Sequence, residues 1–254
     1  MTISITRRTV VTGLALSIPA ALLARTTALA QDTMSNGANP IEPHPISHAS
    51  LWLDWNGTSI VIDPVGGAEA FAAAGTPGLI LVTHMHGDHF NVDTLAAIPG
   101  EAPIVAPPTV AEQMPEGLAA RTTVLSNGDG VELAGVTIDA IPAYNTTEGR
   151  LQYHPQGRDN GYVLTIGGVR VYVAGDTEDI PEMRALENID LAFVPMNLPN
   201  TMDVEQAASG VAAFGPRIVY PYHYRGSDTQ RFAELVGEQN SAVEVRLHDW
   251  YASA

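Results

Sequence analysis

Short apolar runs, punctuated by glycine, asparagine and proline, set the rhythm of this chain from residue 50 onward. Leu51–Trp55 and Thr58–Ile62 flank Asn56-Gly57, and Tyr162–Ile166 and Val169–Ala174 flank Gly167-Gly168. A two-residue step of this kind between strand-like runs predicts a hairpin, because both residues tolerate a positive φ. Strands are also predicted over Leu79–Thr83, Ile104–Ala106, Thr122–Leu125, Val131–Leu133 and Val136–Ile141. A helix is expected at Val92–Ile98 and a helical turn or two at Thr109–Met114. From Pro181 the period changes. Helix-like Pro181–Leu186, Val204–Phe214 and Thr229–Glu238 precede strand-like Leu191–Met196, Ile218–Tyr222 and Val243–His248 respectively. Hairpins followed by alternating helices and strands predict an α/β fold of two sheets covered by helices.

The first 30 residues read differently. Arg7-Arg8 precedes an Ala/Leu-rich run from Val10 to Leu23, and Ala28-Leu29-Ala30 precedes Gln31. That order of charged, apolar and small-residue regions predicts an export signal cleaved after Ala30. The run is interrupted by Gly13 and Pro19 and is short for a bilayer span, so no stable membrane anchor is expected. The arginine pair favours twin-arginine export of a folded protein, with an ordinary secretory signal as the alternative. The expected organisation is a signal over 1–30, a linker over 31–43 and a single domain over 44–254, in a periplasmic or extracellular protein.

Composition narrows the chemistry. With no cysteine, a bound metal has only nitrogen and oxygen donors. The formal net charge is −16, and the signal would remove Arg7, Arg8 and Arg25, leaving a still more acidic domain. Such a surface repels phosphate backbones, so nucleic acid is not an expected partner. A small-molecule substrate is, and oligomerisation is left open.

The strand-like run Leu79–Thr83 leads into Thr83-His84-Met85-His86-Gly87-Asp88-His89-Phe90. In extended backbone residues i and i+2 share a side, so His84 and His86 can face one point. Gly87 is expected to turn the backbone so that Asp88 and His89 reach a second point nearby. Imidazole and carboxylate at this spacing suit zinc, manganese or iron. Four donors do not close two metal shells. The remaining candidates are Asp176 and His223, at predicted strand ends, Asn145 and His154 in the loop before Gly161, and His48; His44 and His248 stand apart.

His84-x-His86-x-Asp88-His89, Gly175-Asp176-Thr177 and His223 together resemble the metallo-β-lactamase superfamily. The motifs His48-Ala49-Ser50-Leu51, Ile62-Asp63-Pro64, Pro142-Ala143-Tyr144-Asn145, His154-Pro155-x-Gly157 and Pro221-Tyr222-His223-Tyr224 resemble its ascorbate-6-phosphate lactonase-like branch. The resemblance implies a four-layer αβ/βα sandwich holding two divalent ions, zinc foremost, with manganese, magnesium or iron as alternatives. It implies His84 and His86 on one ion, Asp88, His89 and His223 on the other, Asp176 bridging, and Asp63 supporting from behind. Where many members carry a further histidine ligand, this chain has Asn145, with His154 nine residues on. Either residue completes the first site, or His154 serves instead as a catalytic acid; Asp88 is a second catalytic candidate. The implied activity is metal-dependent hydrolysis of an ester, lactone or similar small substrate. The alternatives are phosphodiester hydrolysis and metal binding without turnover.

Overall fold

The computed structural model describes residues 41–251. The expected export signal therefore lies outside the described residues. Two mixed sheets form the frame. The first contains, in order, β1 (Ile41–Ser47), β2 (Ser50–Trp55), β3 (Thr58–Ile62), β4 (Leu79–Leu81), β5 (Ile104–Ala106) and β6 (Thr122–Val124). Its first three strands run antiparallel and the rest join in parallel. The second contains β7 (Gly130–Leu133), β8 (Val136–Ala143), β9 (Asp159–Ile166), β10 (Val169–Val173), β11 (Leu191–Pro195), β12 (Ile218–Tyr222) and β13 (Glu244–Val245). It repeats the plan: antiparallel from β7 to β10, parallel from β10 to β13.

Alternation along each strand sorts side chains into layers. Ile60 and Ile62 of β3 face Leu164, Phe193 and Tyr220 in a central core between the sheets. Val61, between them, joins an outer core with Leu95, Val110 and Leu118, which lie on α1 (Val92–Ala97), α2 (Pro108–Ala111) and α3 (Glu116–Ala119). Val163, Tyr172 and Val219 make the matching outer core of the second sheet. Its cover is α4 (Pro181–Arg184), α5 (Val204–Phe214) and α6 (Thr229–Gln239). The result is the expected four-layer αβ/βα sandwich.

Two boundaries differ from expectation. Residues 41–43 belong to β1 rather than to a linker. Pro43 and Pro45 mask that strand in the sequence, but β1 is a sheet edge, where proline is tolerated. The run Val243–His248 pairs only over Glu244 and Val245. The chain then leaves the sheet, and Trp250 packs into the central core.

Strand ends fix where functional groups stand. Gly175, just past β10, has φ 64°, and a Cβ there would lie 2.8 Å from the Asn160 carbonyl oxygen. Only glycine relieves both the left-handed backbone and the contact, and Asp176 follows directly. Gly175→Ala is expected to cost about 1–3 kcal/mol and to displace Asp176. Thermal unfolding should fall measurably and metal retention with it; an unchanged melting temperature would contradict this account.

Candidate metal centre

Six of the chain's 8 histidines converge at one edge of the sandwich, with Asp88 and Asp176 among them. His84 and His86 follow β4, Asp176 follows β10, His223 follows β12, and His154 comes from the long β8–β9 loop. These are carboxyl ends of strands, where α/β sheets expose functional side chains. His89 closes a tight turn, its N–H donating to the His86 carbonyl at 2.9 Å. Gly87 lies in that turn without a positive φ, and a Cβ there would meet nothing. What glycine leaves at that position is open space, part of a cavity of about 250 Å³ lined by His48, Gly66, Gly87, Asp88 and Arg225.

Three groups of donor atoms each lie within 4.8 Å of one another: His84, His86 and His154; His48, Asp88 and His223; and His84, His89 and Asp176. Asp176 links them. Its Oδ1 is 3.2 Å from His89 Nε2, and its Oδ2 is 3.3 Å from both His154 Nε2 and His223 Nε2. Despite this proximity, the buried Nε2 atoms of His84, His89, His154 and His223 make no hydrogen bond, nor does Asp176 Oδ1. Buried polar atoms are normally paired. Lone pairs gathered on common points without pairing fit residues arranged around metal ions.

The far sides of the rings are held. His89 Nδ1 lies 2.7 Å from Asp63 Oδ2, and that carboxylate also accepts from the Thr83 N–H and hydroxyl, both at 2.7 Å. Asp63 thus stands behind the cluster, outside all three donor groups, as the resemblance implied. His154 Nδ1 lies 2.9 Å from Asp159 Oδ2, and Arg158 donates to both oxygens of that carboxylate. Carboxylate–histidine pairs of this kind fix the tautomer and leave Nε2 free for a metal.

Electrostatics follow. Burial lowers the His84 pKa well below its ordinary value, helped by the neighbouring His89, and burial also lowers that of His86. At His89 burial opposes protonation, but Asp176 and Asp63 outweigh it and raise the pKa. His154 is likewise raised against its burial by Asp159 and Asp176. Burial works to raise Asp176 and Asp88, yet the surrounding histidines hold both carboxyls far below the usual range.

Asn145, like His154, is held at one end of its side chain and unpartnered at the other. Its amide nitrogen donates to the carbonyls of Arg150, at 3.1 Å, and Asn200, at 2.7 Å, while its buried Oδ1 has no partner. It lines a second cavity, of about 390 Å³, with Tyr144, Thr146, Leu151, Pro155 and Gln156. His44 stacks on Trp52 at 3.8 Å and joins no donor group. In the sequence His48 is one candidate donor among several with no partner indicated, and neither Asp159 nor Tyr251 is signalled at all. Asp159 sits five residues past His154, a spacing that carries no local signal; the other two arrive from opposite ends of the described chain.

Comparison with known proteins agrees with this geometry. Residues 45–223 match the model of the β-lactamase superfamily domain. The chain is 34% identical over 201 residues to a UPF0173 metal-dependent hydrolase of Thermococcus onnurineus, covering 74% of this chain and 88% of that protein. A Pyrococcus abyssi relative of the same description is 32% identical over 217 residues, covering 79% and 94%. A solved structure from Parabacteroides distasonis, classed as a metal-dependent hydrolase, superposes with a TM-score of 0.78 at 39% identity, covering 86% and 97%. The metallo hydrolase Igni18 of Ignicoccus hospitalis shares the fold at a TM-score of 0.67 and 21% identity. By this match and these relatives the chain belongs to the β-lactamase superfamily and is a metal-dependent hydrolase.

Proposed function

We propose that the protein hydrolyses a small ester or lactone with two divalent ions, zinc foremost, shared through Asp176. The observation that carries this reading is the set of converging, unpartnered Nε2 atoms around one buried carboxylate. The imidazole-rich, sulfur-free donor set suits zinc best among the common ions. His84, His86 and His154 would hold one ion; Asp88, His89 and His223 would hold the other. His154 is preferred over Asn145 as a ligand because its unpaired Nε2 stands with the His84 and His86 donors and 3.3 Å from Asp176 Oδ2. With Nδ1 on Asp159 and Nε2 on an ion, His154 would have no nitrogen left to protonate a leaving group. Bound ions of this kind supply Lewis acidity and lower the pKa of a coordinated water.

The chain's own groups orient and select. Asp88, held strongly anionic by His223 and His48, is a better ligand than proton store. The apolar edges of Tyr144 and Leu151 in the larger cavity suit the body of a small substrate, and Arg225 at the smaller one suits a polar end. Among the described residues no helix is long and apolar enough to cross a membrane. The Arg7-Arg8 leader supports an exported enzyme that takes up metal before transport.

The direct test is turnover of aryl esters, lactones and bis-aryl phosphodiesters with and without chelator. We expect ester or lactone hydrolysis that chelation abolishes and added zinc restores. Turnover confined to the phosphodiester would replace the substrate class, and metal binding with no turnover of any of the three would remove catalysis from the reading.

His154→Ala is expected to lose about one equivalent of metal by elemental analysis, and Asn145→Ala to keep both. The reverse result would make Asn145 the ligand.

The raised His89 and His154 pKa values fix the sign of a pH dependence. In the metal-free protein both rings hold a proton to higher pH than an ordinary imidazole, so an ion competes with that proton. Metal affinity should therefore fall as pH drops. Calorimetry in buffers of different ionisation enthalpy should register proton release on zinc binding; binding with no net release would contradict the assignment.

A further inference from the structure

We propose that His48, tethered by Tyr251, is a positioning residue that aims Asp88 at the second metal ion. The inference rests on the two-ion reading above and concerns His48 and Tyr251, which that reading places on neither ion.

His48 stands in the turn between β1 and β2 with φ 54°, a left-handed conformation that a histidine adopts at some cost. Its backbone is clamped on both sides. The His48 N–H donates to the Trp250 carbonyl at 3.3 Å, and its carbonyl accepts from the His223 N–H at 2.9 Å. His223 is itself left-handed, with φ 46°. The two rings lie 3.8 Å apart. A strained residue held from both directions beside a functional cluster is a reason to look for a task.

The side chain supplies one. The Tyr251 hydroxyl lies 2.6 Å from His48 Nδ1, and its oxygen accepts from the Arg225 N–H at 2.9 Å. The Asp88 carboxylate only accepts, so its hydrogen bond to the ring puts the ring hydrogen on Nε2, 3.2 Å from Asp88 Oδ2. In the neutral ring Nδ1 then accepts from the Tyr251 hydroxyl. The chain Arg225–Tyr251–His48–Asp88 therefore has a donor and an acceptor at every step.

Asp88 needs such a hold. Its side chain is 46% exposed, while those of His84, His89, His154 and His223 are fully buried. Gly87 beside it offers no side chain to pack against. Its other neighbour, His223 Nε2, lies 3.5 Å away and would itself face the ion. Without His48 the carboxylate is free to swing into water, and the second ion loses its only exposed ligand.

The test is competitive titration of the metal-free protein with zinc and with cobalt. The native protein should bind two equivalents. His48→Ala should weaken one of them about 10–100-fold and leave the other unchanged. His48→Gln, which keeps a donor near the Nε2 position, should recover most of the loss, and Tyr251→Phe should show a smaller loss at the same ion. In an Asp88→Ala background, His48→Ala should cost nothing more, because it acts through that carboxylate. Additive losses in the double variant, an unchanged His48→Ala titration, or equal weakening of both ions would each overturn the tether. Comparable melting of the metal-free native and His48→Ala proteins separates positioning from loss of fold. A native protein that binds a single equivalent would overturn the two-ion reading itself, and the tether with it.

Discussion

Burying the Asp176 carboxylate is the constraint around which this molecule is organised. The residue is 2% exposed, at the end of a strand whose neighbours are apolar. An isolated charge in that position would be prohibitively costly, so it must be met by charge or by metal. Three histidines from three different segments come within 3.3 Å of it. None of the three is near Asp176 in sequence, and the strand ends that bring them together belong to both sheets. The sandwich is thus closed at this edge by electrostatics as much as by its central apolar core.

The same logic recurs one layer out. Glu178, fully buried two residues after Asp176, accepts from the backbone and hydroxyls of both Thr146 and Thr147 at 2.7–2.8 Å. Arg150 lies 2.8 Å from its other oxygen and also donates to the Thr201 carbonyl at 3.0 Å. Removing one partner of such a pair leaves a buried charge unmet. The segment after β10 that carries Asp176 and Glu178 therefore also fastens the loop that delivers His154. Donor geometry and loop conformation are parts of one network.

How much of this was legible in the sequence depends on range. Elements whose signals are local came through closely. Val204–Phe214 is a helix with the bounds expected, started by the Asp203 capping box with Gln206 and ended by left-handed Gly215. The Asn56-Gly57 and Gly167-Gly168 hairpins form where expected. The donor cluster after β4 was visible because four of its members lie within six residues. The edge strand β1 was hidden by its prolines, and the end of the Val243–His248 run by the pull of Trp250 into the core. His48 and Tyr251 meet only because β1 and the C-terminal segment pack against the same strand end, and no local pattern encodes that.

Asn145 and His154 show why the sequence left the first site open between two residues. They are nine positions apart along the chain, yet the Asn145 N–H donates to the His154 carbonyl at 2.8 Å. The loop closes on itself there, so the two side chains start from neighbouring backbone. The side chains then divide by chemistry. The amide of Asn145 spends its nitrogen on the Arg150 and Asn200 carbonyls, holding the loop in register with the 197–201 segment. The imidazole has two nitrogens on opposite sides of a rigid ring, so it can be fixed by Asp159 at one and still offer the other inward. The amide is likewise fixed at its nitrogen and leaves a buried, unpartnered Oδ1, but an amide oxygen is a weaker donor than imidazole. His154 thus reaches the donor cluster from backbone beside Asn145, and the asparagine secures the loop that brings it there.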